Sequence, residues 1–190
     1  MTGSMNIAVL SCDGDVGERV VVPEGVTVIE PGAFARQRRL REISLPSTLS
    51  SIGAEAFIGC SALERIDLPK GLKELGARAF RNCTALVSAS IPASLEVISD
   101  AAFSNCSKLE FVTGGRGVYG IRTQAFTGCK RLAMCEPLDH AVDIGEEAFN
   151  WCNVLAVPVF PDEMMFIGEN AFRHCVNFEN VQLPPVMECE

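Results

Sequence analysis

The sequence predicts a solenoid wound from a 23-residue unit. Three observations predict it. An Ala-Phe pair occurs seven times, at Phe34, Phe57, Phe80, Phe103, Phe126, Phe149 and Phe172, at an unbroken interval of 23. A cysteine follows three residues later in Cys60, Cys83, Cys106, Cys129, Cys152 and Cys175, and only Gln37 departs. A leucine or phenylalanine stands six residues after the Phe, and apolar residues recur nine and eleven after it. That last alternation is the period of a half-buried strand. One such unit cannot bury its own apolar side, but stacked units bury one another's.

Each element of the unit follows in order. Five residues before the Phe comes Ile29, Ile52, Leu75, Ile98, Ile121, Ile144 or Ile167, often followed by glycine, as in Gly53, Gly76, Gly145 and Gly168. This Ile-Gly-x-x-Ala-Phe segment is expected to cross to the back as a turn or a short helical or strand piece. Its glycine is expected to supply a φ that other residues resist. The Phe, Cys and Leu positions then form internal ladders. The strand positions are filled by Ile43 and Leu45, Ile66 and Leu68, Ala89 and Ile91, and Val112 and Gly114. Cys135 and Pro137, Pro158 and Phe160, and Val181 and Leu183 continue the series. Pro46, Pro69, Pro92, Pro161 and Pro184 remove a donor and stop the strand. Val20-Val21-Val22-Pro23 matches the strand end of one more, incomplete unit. Residues 1–19 therefore read as an N-terminal cap or tail, and residues 20–190 as one solenoid domain.

The Ala-Phe-x-x-Cys and Leu-x-x-Ile-x-Leu-Pro blocks, taken together from about Val20 to Pro184, resemble the BspA-like, cysteine-containing leucine-rich repeats. The resemblance implies a leucine-rich repeat solenoid of seven units. Parallel strands would line its concave face, with turns and short helical or strand pieces on the back. It also implies a cell-surface adhesin for host or matrix proteins as one function. The fold alone hosts many.

Charge and composition narrow the classes. The net charge is −8 and the pI near 4.9, against a nucleic-acid partner, which needs a basic face. No stretch approaches the roughly 18 apolar residues of a membrane span. The N-terminus lacks the basic and apolar blocks of a signal peptide, so the chain reads as cytoplasmic. The adhesin reading would need a leader outside this sequence.

Catalytic patterns are missing from the sequence. It carries no Gly-x-Ser-x-Gly, no P-loop and no His-Glu-x-x-His. No catalytic residue, metal or cofactor is expected. The periodic cysteines read as a column of buried thiols. Disulfides are the sharper reading, since neighbours one unit apart lie within bridging range. Zinc is disfavoured because no Cys-x-x-Cys pair occurs. Cys135 takes a core strand position, while Cys12 and Cys189 lie near the ends. His174 beside Cys175 raises a Cys–His nucleophile, the basis of a third reading as a cysteine-dependent enzyme. Gly114-Gly115-Arg116-Gly117 looks like a phosphate cradle without its lysine or helix. Asn82-Cys83-Thr84 and Asn105-Cys106-Ser107 fit a glycosylation pattern that overlaps the repeat. Arg36, Arg38, Arg39 and Arg41 form a basic cluster.

The strand alternation exposes a candidate binding face. Its early positions are polar: Arg41, Glu42 and Ser44, then Glu64, Arg65 and Asp67, then Val87, Ser88 and Ser90. The later positions turn apolar, and the partner-binding residues are read as Phe111, Met134, Glu136, Val157 and Val159. The expected function is a non-catalytic protein-binding module. The strand near Val181–Leu183 would be an open edge blunted by Pro184-Pro185, giving a monomer or a weak dimer.

Overall fold

The computed structural model describes residues 8–10 and 15–178. Val181–Leu183, Pro184, Pro185, Cys12 and Cys189 lie outside the described residues. From Arg19 to Phe178 the chain is a stack of coils, one per repeat. Every strand pairing between these coils is parallel, with partners 23 residues apart.

The first column of strands forms the face anticipated from the alternation. It comprises Arg19–Val21 and Glu42–Ser44, then Arg65–Asp67, Ser88–Ile91, Phe111–Gly114 and Met134–Cys135. Ile43, Ile66, Ala89, Val112 and Cys135 point into the core. The second column consists mostly of two-residue strands that end on the repeat's Ile or Leu, such as Ser51–Ile52, Gly120–Ile121 and Asp143–Ile144. Ala8–Leu10 joins this column beside Val26–Ile29 out of the 23-residue register, with Leu10 opposite Ile29. The Ile segment is thus a strand. The helical pieces among the described residues are two short 3-10 turns, Glu136–Asp139 and Val176–Phe178.

A third seam of backbone hydrogen bonds runs past each Phe. Glu55, Phe57 and Gly59 donate to the carbonyls of Ala77, Ala79 and Arg81 in the next coil, at 2.8–2.9 Å. This seam requires left-handed backbone two residues before and two after each Phe. Gly32, Glu55, Arg78, Ala101, Gln124, Glu147 and Asn170 take the first place, and Arg36, Gly59, Asn82, Asn105, Gly128, Trp151 and His174 the second, all with φ between 51° and 77°. Glycine and asparagine tolerate this region and bulky residues resist it. Asn82 and Asn105, singled out as glycosylation candidates, therefore have a conformational reason for being there.

The glycine after the Ile does something else than expected. Gly53, Gly76, Gly145 and Gly168 are not among the positive-φ residues. Their reason is space. A Cβ on Gly76 would lie 2.3 Å from the Ala54 nitrogen, and one on Gly53 2.4 Å from the Pro31 nitrogen. Neighbouring backbones approach too closely there for any side chain.

Inside the stack, Phe34 through Phe172 form one ladder, with ring centroids 5.0–5.5 Å apart and planes within 12°. Six of the seven rings are fully buried. Burial of each stabilises by roughly 1.5–3 kcal/mol. At the last coil, Phe178 stacks on Phe172 at 4.4 Å and Phe160 meets it edge-on at 5.9 Å.

The periodic cysteines are free, buried thiols. Each donates its S–H to the Phe carbonyl of the preceding coil at 3.0–3.2 Å: Cys60 to Phe34, Cys83 to Phe57, and so on to Cys175 and Phe149. The same carbonyl accepts a backbone N–H from its own coil, as Phe57 does from Cys60 at 3.1 Å. The thiol therefore satisfies the second lone pair of a buried carbonyl, besides filling space. Burial pushes the Cys60 thiol up to about 12 and that of Cys175 to about 11. It raises Cys83, Cys106, Cys129 and Cys152 as well.

Candidate binding face

The first strand column presents side chains at fixed heights, and its chemistry changes along the stack. The N-terminal half carries both charges. Arg19 pairs with Glu42 at 3.2 Å, Arg41 lies between Glu18 at 3.9 Å and Glu64 at 3.6 Å, and Arg65 meets Asp67 at 3.3 Å. These pairs are exposed, so each contributes about 0–1 kcal/mol. Their effect is to neutralise one another. Arg39, from the basic cluster, is likewise matched by Asp15 at 3.3 Å.

Beyond Ser88 the face turns apolar. Phe111 lies directly opposite Met134 in the parallel register. The Ala156 N–H donates to the Ala133 carbonyl at 2.9 Å and continues the pairing by one bond, which sets Val157 beside Met134. Phe111, Met134 and Val157 are 43%, 40% and 39% exposed. They form a column half-sunk in the face and accessible from outside. Val159 is 87% exposed, and the segment around it forms no strand.

Glu136 sits differently from the other four. The strand stops at Cys135, and Glu136 opens a 3-10 turn. Its half-buried carboxylate accepts the Gly114 N–H at 2.5 Å. It holds two coils together and projects less than strict alternation implies.

That same bond settles the glycine run. The Gly114 N–H is taken by Glu136 and the Gly115 N–H by the Ile91 carbonyl at 2.8 Å. A Cβ on Gly115 would lie 2.7 Å from Pro137, and one on Gly117 2.1 Å from the Ala93 carbonyl oxygen. The glycines serve close approach between coils, and these two amides are not free for phosphate.

Cys175 and His174 are each engaged elsewhere. The Cys175 thiol points to the Phe149 carbonyl and is held protonated by burial. His174 is exposed and stacks on Trp151, with ring centroids 3.9 Å apart. The Trp–His stack is a surface feature that sequence reading missed. Both residues fall two after a ladder Phe, so the period could have found it. No group of three or more His, Cys, Asp or Glu side chains converges among the described residues. No described helix is long and apolar enough to cross a membrane.

Parallel coils in 23-residue register, with a Leu-x-x-Ile-x-Leu strand on one face, define a leucine-rich repeat solenoid. A family model described as the BspA type leucine rich repeat region matches residues 16–133 and 138–189, in 6 copies. The chain belongs to that family. The Phe series counts seven coils, and the interval between the matched segments falls where Glu136–Asp139 replaces the usual strand ending.

Solved structures agree with the fold. A leucine-rich repeat protein from Bacteroides ovatus is 30% identical, with a TM-score of 0.75 over 83% of this chain and 41% of that one. One from Eubacterium ventriosum is 23% identical, with a TM-score of 0.72 over 91% and 46%, and shows the fold alone. The T. pallidum leucine rich repeat protein is 29% identical, with a TM-score of 0.63 over 81% and 86%. The chain thus spans less than half the length of the first two. Among curated proteins, none matches it.

Proposed function

We propose that the chain is a non-catalytic protein-binding module, and that its partner docks on the apolar end of the first strand column. The observation that carries this is the column Phe111–Met134–Val157, apolar, half-exposed and held at fixed spacing by backbone pairing. Phe111 supplies a flat aromatic anchor and Met134 an adaptable surface. Val159 extends the patch, and Glu136 ties the coils of Met134 and Phe111 together through the Gly114 N–H. Membership of a leucine-rich repeat family favours interaction over catalysis.

Affinity capture from the source cell tests the reading. Met134→Arg and Val157→Arg add a charge that a partner would have to desolvate, and should abolish capture with the fold intact. Ser44→Arg, in the ion-paired half, should change capture little. Unaltered capture by both C-terminal variants refutes the assignment, as does unfolding of Met134→Arg.

A further inference from the structure

The apolar column is bounded by two rims of opposite charge. Lys108, Lys130 and Arg131 are exposed on the turns that lead into the strand face. Asp139, Asp162 and Glu163 are exposed on the turns that leave it. Glu110 also lies on the cationic rim, held by Arg131 at 3.6 Å, and Arg116 and His140 lie on the acidic one. The N-terminal half has no such division, because its charges are paired within the face.

Spacing decides what fits between the rims. Parallel pairing sets Phe111 and Met134 about 5 Å apart, and the Ala156–Ala133 bond carries that spacing on to Val157, giving about 0, 5 and 10 Å along the stack. An α-helix lying along the stack places residues i, i+4 and i+7 at about 0, 6 and 10.5 Å. An extended strand places alternate side chains about 6.7 Å apart, so its third contact overshoots by about 3–4 Å. A polyproline turn advances about 9.3 Å and skips Met134.

We propose that this face takes an amphipathic α-helix laid along the stack, with large apolar residues at i, i+4 and i+7 on Phe111, Met134 and Val157. One of its flanks carries carboxylates toward Lys108, Lys130 and Arg131, and the other carries lysines or arginines toward Asp139, Asp162 and Glu163. The proposal rests on the reading that this face binds protein. It adds a direction: turning a helix end for end exchanges its flanks, so the rims admit one polarity.

The test uses two synthetic 18-residue helical peptides with a common leucine stripe and a dansyl group at the N-terminus. One has Glu on the left flank and Lys on the right, and the other has them exchanged. A third peptide scrambles the flank charges, and a fourth carries a central proline. Trp151, the single tryptophan, lies toward the C-terminal end of the stack and serves as energy-transfer donor. Both ordered peptides should bind the full chain about tenfold more tightly than the scrambled or proline-broken ones. They should bind in opposite directions, one with strong transfer and one with weak. Reversing the charge of all six rim residues should exchange the two signals, and Met134→Arg should abolish binding. Equal transfer from both peptides, undiminished binding of the proline peptide, or no binding at all overturns the helix. If partner capture still depends on Met134 in that case, the protein-binding reading stands without it. If capture is also indifferent to Met134, both fall.

Discussion

Raising the pH should unfold this protein through its thiols. The perturbation is a shift from pH 7.5 to 9.5 in the presence of a non-thiol reductant. Cys60, Cys83, Cys106, Cys129, Cys135, Cys152 and Cys175 are buried, and desolvation raises every one of them above the ordinary 9.0. Their folded pKa values lie above the unfolded ones. The unfolded chain therefore gives up these protons first, and stability falls as pH rises through 9, while below about pH 8 these groups have no effect. At pH 9.5 an unfolded thiol is largely ionised while its buried counterpart resists ionisation, so each contributes on the order of 1 kcal/mol and the column together several kcal/mol. That is comparable to the whole stability of a typical domain, about 5–15 kcal/mol. Urea unfolding followed by circular dichroism at the two pH values measures it. The midpoint should drop steeply, and Cys83→Ala, though less stable at pH 7.5, should lose less on the same shift, because it has one buried thiol fewer. A midpoint unchanged from pH 7.5 to 9.5 refutes the buried, protonated column.

Three further outcomes are expected. Phe103→Ala, in mid-ladder, should cost about 3–5 kcal/mol, and urea unfolding indistinguishable from wild type would contradict the ring stack. Gly76→Ala drives a methyl into the Ala54 backbone and should cost at least about 1–3 kcal/mol. Gly32→Ala, left-handed but in open space, should cost only about 1–2 kcal/mol, and thermal melts rank the two. Ellman's reagent at pH 7.5 should leave the six ladder cysteines unmodified in the native protein and find all six in urea, whereas a disulfide among them would contradict the thiol hydrogen bonds.

What the sequence made legible was whatever the period repeats. The interval of 23 set the register of the strand pairs from Arg19 onward, the Phe ladder and the thiol column, because inward positions must be filled alike in every coil. The left-handed residues flanking each Phe carry no legible signal, because Glu, Arg, Gln, Trp and His occupy many of those places. There the hydrogen-bonded seam overrides the preference of the residue. The glycine after the Ile is visible in the sequence but its cause is not, since backbone proximity between coils leaves no local signature. On the candidate face, the exposure of Phe111, Met134 and Val157 is readable from alternation alone. That of Glu136 is not, because its carboxylate is drawn inward by an amide that only the folded stack supplies.

The uniform offset makes the coil a unit of exchange. Excising residues 61–83 would join Cys60 to Thr84, the counterpart of Ser61, and return every remaining ring, thiol and amide to an equivalent neighbour. Such a deletion, or its duplication, changes how far the two ends of the face lie apart while keeping the backbone seams, the rings and the thiols in phase, although the deletion takes the Arg41–Glu64 and Arg65–Asp67 pairs with it. Removing one residue instead would throw all the seams out of phase together. Length in this architecture varies by whole coils, and with it the reach of whatever the surface engages.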